Sequence, residues 1–163
     1  AGLDFGPRCD ESTYFLQVEV FQKQISLAAE YKKPMIIHAV KSHHAVPAML
    51  KSGGVRRGFV HSFAGSYESA KEYMDLGFLI SIGTGILRDK NRKLLDLIEK
   101  LPVDSLLIES DSPDGYISNP SESSEVNEPL SVMRVAEVIA KVKNMSADRL
   151  HESVGANFSE LLR

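Results

Sequence analysis

The chain has 163 residues, of which 43% are hydrophobic, so it is long enough to bury one core. Its 19 basic and 22 acidic residues give a net charge of −3, which excludes a general attraction to nucleic acid. A polyanion would have to bind through a local patch or a metal. No apolar run approaches the roughly 20 residues that cross a membrane, and no secretory signal is visible. Cys9 is the only cysteine, so we expect no intrachain disulfide. We expect an intracellular protein without membrane contact, in the cytoplasm, with the nucleus as the alternative.

Short apolar segments of strand length alternate with longer segments of helical period along the whole chain. After a strand-like stub at residues 3–4, the pattern predicts a helix over 15–31 that Pro34 ends, then a strand over 35–39. The later predictions are a helix from a Ser42 cap to residue 50, a strand over 58–61, a helix from a Ser66 cap to residue 76, a strand over 78–82, a turn over 83–85, a helix over 91–100, a strand over 106–109, and helices over 129–143 and 147–162. A polar loop over 112–127, low in complexity at 118–125, is typical of loops that line active sites.

This alternation predicts an α/β fold built on a parallel sheet, as one domain over residues 1–163. An open doubly wound sheet is the competing architecture. No G-x-G-x-x-G follows a strand, since the turn at 83–85 lacks the third glycine. A barrel needs about 250 residues, so the stub and four strands would make about half of one. The chain starts abruptly on Ala1 without an initiator Met, and we expect further sequence upstream.

Three candidate metal ligands follow three of the predicted strands. His38 and His61 lie at the ends of the strands at 35–39 and 58–61, and Asp111 lies just past the strand at 106–109. In a barrel, the C-terminal ends of the strands converge on one mouth. Imidazole and carboxylate together suit Zn²⁺, Mn²⁺ or Mg²⁺ with positions left for water. A single histidine at a strand end is more often structural, but three equivalent positions favour a metal site.

Glu109 and Asp111 are two residues apart and would share one face if the strand continued. One carboxylate could then hold a metal while the other orients a ligand, although Glu109 could equally bind only loop amides. His43 and His44 are interpreted as solvated or supporting side chains rather than ligands. The basic pairs at 32–33 and 56–57 precede strands, and we interpret them as solvated charges at the bottom of the barrel.

In order and nearly end to end, these segments resemble the TatD family of metal-dependent deoxyribonucleases, within the amidohydrolase-like barrels. The motifs that carry the resemblance are Gly2-Leu3-Asp4-Phe5, Pro34-Met35-Ile36-Ile37-His38, His61-Ser62-Phe63-Ala64-Gly65, Leu107-Ile108-Glu109-Ser110-Asp111-Ser112-Pro113 and Asn127-Glu128-Pro129. The resemblance implies the C-terminal half of a (β/α)8 TIM-type barrel and hydrolysis of DNA phosphodiester bonds.

The same resemblance implies that His38, His61 and Asp111 ligate one or two divalent cations, Mg²⁺, Mn²⁺ or Zn²⁺. It implies that Asp111 also orients or deprotonates the attacking water. The remaining side chains assigned to substrate binding, or to support of the ligands, are Glu109, Asn127 and Glu128.

The chain also departs from the family pattern. It contains no His-x-His, and it begins where the family carries a glutamate before Gly-Leu-Asp. Val40 and Val126 stand where arginines are usual, which weakens the case for phosphate binding. The first hypothesis is therefore a deoxyribonuclease with DNA as its substrate. The alternative is a catalytically impaired fragment or splice product that acts through association at exposed barrel edges, and a weaker alternative is a hydrolase of a small amide or ester.

Overall fold

The computed structural model describes residues 1–88, 91–115 and 126–163. Five strands form one sheet: β1 (Gly2–Asp4), β2 (Met35–Val40), β3 (Gly58–Val60), β4 (Phe78–Ile82) and β5 (Leu106–Ile108). The helices of these ranges are α1 (Tyr14–Glu30), α2 (Val46–Ser52), α3 (Tyr67–Met74), α4 (Arg92–Lys100), α5 (Ser131–Val142) and α6 (Ala147–Leu161). The low-complexity segment predicted at 118–125 lies outside the described residues. Among the helices described, none is long and apolar enough to cross a membrane.

The strands pair in the order in which they occur along the chain, and every pair is parallel. A doubly wound sheet reverses its strand order at one point, and β1 to β5 show no such reversal. Right-handed crossovers between successive neighbours place all their helices on the same face of the sheet. This singly wound order is that of a (β/α)8 barrel, of which the described residues supply five strands.

The two faces of the sheet meet different surroundings, as β2 shows. Met35 and Ile37 are buried beneath the helices, whereas Ile36 is 57% exposed on the opposite face. The register pairs Ile36 with Phe59 and Phe59 with Leu79, so these three side chains form one layer on that face. In a closed barrel this is the inner face, which layers of side chains fill.

Local structure follows the predictions closely except before α2. Ser42 was expected to cap this helix, but α2 begins at Val46, with Pro47 in its first turn. The buried hydroxyl of Ser42 instead donates a hydrogen bond to the carbonyl of Leu3 at 2.9 Å, which ties the β2–α2 loop to β1. Ser66 caps α3 as predicted, since its hydroxyl accepts from the amide of Ser69.

The sidedness of the sheet can be tested with two neighbouring isoleucines of one strand. We expect Ile37→Ala to lower the free energy of unfolding by about 2–5 kcal/mol, because it leaves a cavity under the helices. Ile36→Ala makes the same change in strand propensity on the exposed face, and we expect it to cost less than about 1 kcal/mol. Urea unfolding of the two variants measures both, and equal losses would contradict this assignment of the faces.

Candidate metal centre

The two strand-end histidines lie side by side on neighbouring strands. His38 belongs to β2, and His61 directly follows β3, where its amide continues the ladder by donating to the carbonyl of Ile37 at 2.9 Å. The ring centroids of His38 and His61 are 6.1 Å apart, with an angle of 30° between the planes. The parallel register of β2 and β3 therefore brings both imidazoles to the same edge of the sheet.

The His61 imidazole lies between two carboxylates. Its Nδ1 is 2.8 Å from Oε1 of Glu109, and its Nε2 is 3.4 Å from Oδ1 of Asp111. The backbone of Asp111 has φ +60°, a left-handed conformation that aspartate adopts more readily than most residues. This conformation turns the chain away from the line of β5, and both carboxylates still reach the same imidazole.

Glu109 is the most heavily bonded side chain of the centre. Its Oε1 also accepts from the amide of Ser62 at 2.6 Å, and its Oε2 accepts from the hydroxyl of Ser81 at 2.7 Å. Glu109 therefore contacts an imidazole as well as a loop amide. Ser81 was not predicted, although a serine inside the apolar strand β4 was a usable signal.

Asp4 plays the corresponding part beside His38. Its Oδ2 lies 3.0 Å from Nε2 of His38, and its Oδ1 accepts from the amide of Gly6 at 2.8 Å. Sequence reasoning used Asp4 only as part of a family motif, although a carboxylate at the end of β1 occupies the same kind of position as the predicted ligands. Asp4 thus lies beside Nε2 of His38, and Glu109 lies beside Nδ1 of His61. The nitrogens that could face a metal are therefore Nδ1 of His38 and Nε2 of His61, the one on the side of Asp111.

The contacts shift the titration of these groups in opposite directions. The hydrogen bond to Glu109 raises the pKa of His61 above its ordinary value, against the opposing effect of burial. Burial by itself would raise the pKa of Glu109, but the bonds from His61, Ser81 and Ser62 outweigh it and lower that pKa. The hydrogen bond with His38 lowers the pKa of Asp4. Without a metal, the contact between His61 and Glu109 therefore favours a charged imidazole beside a charged carboxylate.

The donor set fits a divalent cation in its chemistry. Imidazole nitrogens and a carboxylate are ligands that Zn²⁺ and Mn²⁺ accept, and a metal-binding histidine commonly gives its other nitrogen to a carboxylate, as His61 does to Glu109. The ligands are not yet arranged around one point, since no group of three or more such side chains within the described ranges forms a metal cluster. A cation would have to take the place of the direct contact between His61 and Asp111.

Asn127 and Glu128, the other predicted site residues, differ in their surroundings. Asn127 is 4% exposed, and its side-chain amide donates to the carbonyls of Ser110 and Asp114. The backbone carbonyl of Asn127 accepts a hydrogen bond from the hydroxyl of Ser112 at 2.7 Å. Asn127 thus joins the two described ends of the β5–α5 connection next to Asp111, whereas Glu128 is exposed.

Two further histidines were interpreted as supporting or solvated side chains and not as ligands. Of these, His43 is half-buried and His44 is exposed. Nδ1 of His43 lies 3.1 Å from the hydroxyl of Tyr73, and its ring packs against Phe63 with centroids 4.9 Å apart. Burial lowers the pKa of His43. These contacts make His43 a packing residue between the β2–α2 and β3–α3 loops.

The His61–Glu109 pair predicts a pH-dependent stability of the metal-free protein. The raised pKa of His61 stabilises the fold fully below the ordinary value of 6.5, and this contribution is lost as pH rises through the raised pKa. The lowered pKa of Glu109 stabilises it fully above 4.5, and this part is lost as pH falls through the lowered pKa. In EDTA, the Tm difference between wild type and Glu109→Gln should be largest between pH 4.5 and pH 6.5, and it should shrink at lower and at higher pH. Glu128→Gln is the control, and a difference independent of pH would contradict the prediction.

The buried amide of Asn127 predicts a loss of stability on truncation. Asn127→Ala removes the donor to two backbone carbonyls, and each lost hydrogen bond costs about 0.5–1.5 kcal/mol. Glu128→Ala removes an exposed side chain from the next position and should change stability by less than about 0.5 kcal/mol. Urea unfolding of both variants checks this, and a stable Asn127→Ala would count against the role of Asn127 in holding the loop.

Comparison with known proteins places these features in one family. The family model for TatD related DNase matches residues 1–163. The metal-dependent hydrolase YabD of Bacillus subtilis, named as uncharacterized, is 35% identical over 164 residues, covering 99% of this chain and 63% of that protein. YjjV of Escherichia coli, also named as an uncharacterized metal-dependent hydrolase, is 33% identical over 159 residues, covering 94% of this chain and 58% of YjjV.

Solved structures agree on the fold. The crystal structure of the TatD homologue YjjV from Escherichia coli superposes with a TM-score of 0.89 at 31% identity, over 99% of this chain and 61% of that chain. A TatD family hydrolase from Entamoeba histolytica has a TM-score of 0.78 at 21% identity, over 99% of this chain and 61% of that chain, a likeness of fold alone. The chain thus spans about three fifths of the length of these relatives. The predicted TIM-type barrel class is confirmed, and the chain belongs to the TatD family of metal-dependent hydrolases.

Proposed function

We propose that the protein hydrolyses phosphodiester bonds of DNA with the help of one or two divalent cations, Mg²⁺, Mn²⁺ or Zn²⁺. The observation that carries the proposal is the position of His61 between Glu109 and Asp111, beside His38. The description of the family as TatD related DNase supports DNA as the substrate. Because the chain spans about three fifths of its relatives, this activity is proposed for the whole protein.

The ligands of the cation would be Nδ1 of His38, Nε2 of His61 and the carboxylate of Asp111. A cation bound there would lower the pKa of a water molecule and polarise a phosphoryl oxygen. When His61 is neutral, its Nδ1–H would donate a hydrogen bond to Glu109, which leaves the lone pair on Nε2, the nitrogen on the side of Asp111. Glu109 is thus a positioning residue that fixes the tautomer and the ring plane of His61.

Asp111 is the residue proposed to take a proton from the attacking water. Its side chain is 36% exposed, so water can reach a carboxylate oxygen. Asn127 holds the backbone on both sides of Asp111 through Ser110 and Asp114. We propose that Asn127 supports the position of Asp111. We also propose that the exposed Glu128 lies nearer than Asn127 to the path of the substrate.

Metal dependence is tested by comparing two histidine variants. His61→Asn removes a proposed ligand, whereas His44→Asn makes the same change at an exposed histidine of the neighbouring β2–α2 loop. We expect His61→Asn to abolish Mn²⁺- or Mg²⁺-dependent cleavage of labelled DNA and to weaken Mn²⁺ binding, measured by calorimetry, and His44→Asn to change neither. Glu109→Gln should weaken binding roughly 10- to 100-fold, as loss of a partner that orients a ligand does in other metal sites.

Cleavage that survives both EDTA and His61→Asn would rule out the proposed mechanism. A small ester or amide assayed beside the DNA separates the two hydrolase hypotheses. Metal-dependent hydrolysis of the ester alone, lost in His61→Asn, would keep the metal centre and change the substrate class.

A second candidate is that the 163-residue chain is active only through association. Ile36 is 57% exposed on a face that a closed barrel fills, and the described ranges contain no assembled metal cluster. β1 and β5 also present open edges within the described sheet, which can pair with another chain. Light scattering measured together with activity distinguishes the two, since a monomer with full metal-dependent activity would count against association.

A further inference from the structure

A basic groove lies at the N-terminal ends of the strands, away from the metal centre. Two adjoining cavities, of about 690 Å³ and 480 Å³, share Arg56, Arg57 and Arg163 along their walls. The second cavity adds Lys32 and Lys33. We use the name basic groove for these five side chains, which three separate parts of the chain supply.

The groove and the metal centre occupy opposite ends of the same strands. Arg57 directly precedes β3, and His61 directly follows it. Four residues at about 3.3 Å each separate these two positions by roughly 13 Å. A group bound in the groove is therefore not the group that a cation holds between His38 and His61.

Four of the five positive charges of the groove are not paired with a carboxylate within the described ranges. The guanidinium of Arg56 donates to the carbonyls of Lys51 and Val55, and that of Arg57 donates to the carbonyl of Lys32 at 3.0 Å. Over the described parts of the chain, neither these two arginines nor Lys32 and Lys33 has a carboxylate oxygen within 4.0 Å.

Two acidic side chains also line the groove. Glu160 pairs with Arg163 at 2.9 Å, and Asp104 lies in the wall of the larger cavity. Even with both counted, the groove has an excess of positive charge, on a chain whose net charge is −3. Because the chain as a whole is negatively charged, a polyanion can bind it only at a local patch of positive charge, and the basic groove is such a patch.

The arginines are held in place before any ligand arrives. One amino group of Arg57 is bonded to the Lys32 carbonyl, while the rest of its planar fork of donors can face a phosphate. Because the backbone contacts already hold the side chain, binding loses less conformational entropy. The lysines add mobile point charges on the same rim.

We propose that the basic groove binds the phosphodiester backbone of a single-stranded nucleic acid. Guanidinium and ammonium groups recognise phosphates without reading bases, so the groove would add affinity but no sequence preference. The choice of DNA as the polyanion rests on the proposed function, whereas the groove itself does not.

The test is binding of a fluorescent single-stranded DNA oligonucleotide to the full chain in EDTA, followed by anisotropy over a range of salt concentrations. Lys32→Gln with Lys33→Gln removes two charges that have no carboxylate partner among the described residues. We expect this pair to reduce the slope of log K against log salt by about 1.4, at about 0.7 for each single-strand phosphate contact. Binding at low salt should weaken roughly tenfold.

The matched control is Lys93→Gln with Lys141→Gln, the same charge change on α4 and α5 outside both cavities. Equal weakening by both pairs, or none by the groove pair, would overturn the proposal. So would equally tight, equally Lys32- and Lys33-dependent binding of poly-glutamate, which carries charge without phosphate. The assay in EDTA does not depend on a cation at the metal centre, so the groove and the nuclease proposal can fail separately.

Discussion

The parallel, sequential register of the five strands is the constraint on which the rest of this structure depends. Because each strand pairs with the next one along the chain, every strand end of one polarity lies at the same edge. His38 and His61 come together for this reason, although 22 residues lie between them in the sequence. The same register collects the loops before the strands at the opposite edge, where the basic groove lies.

Carboxylate–imidazole contacts then give the edge with the histidines its chemistry. Asp4 and Glu109 each hold one ring nitrogen, at 3.0 Å and 2.8 Å. Burial alone would make Glu109 harder to ionise, but the donors around it outweigh that effect and keep it charged. The proposed ligands are therefore oriented before a cation binds, and a cation competes with Asp111 and with a proton for His61.

The two edges of the sheet differ in how their charges are balanced. At the metal centre, the carboxylates lie against imidazole nitrogens. At the other edge, arginines donate to neutral carbonyls, which orient the guanidinium groups but do not cancel their charge. A cation and a phosphate backbone are the ligands that suit these two environments, and the strands keep the two sites apart.

Much of the fold and the strand-end positions of the candidate ligands could be predicted from the sequence, because strand and helix periodicity are local properties. The strand-end positions of His38, His61 and Asp111 followed from the βα alternation and from the family motifs. The local failure at Ser42 has a tertiary cause, since a contact with Leu3 across the sheet replaced the expected helix cap.

The sequence by itself determined the alternation, the strand ends and the ligand types, since each depends on residues close together in the chain. Only the tertiary structure decided the partners: Asp4 for His38, Ser81 for Glu109, and Asn127 for the loop around Asp111. The tertiary structure also places two basic pairs, which we interpreted from the sequence as solvated charges, in one groove with Arg163. The physical reason is that hydrogen bonds and electrostatic fields depend on distance in space, and residues far apart in sequence meet only when the sheet sets their register.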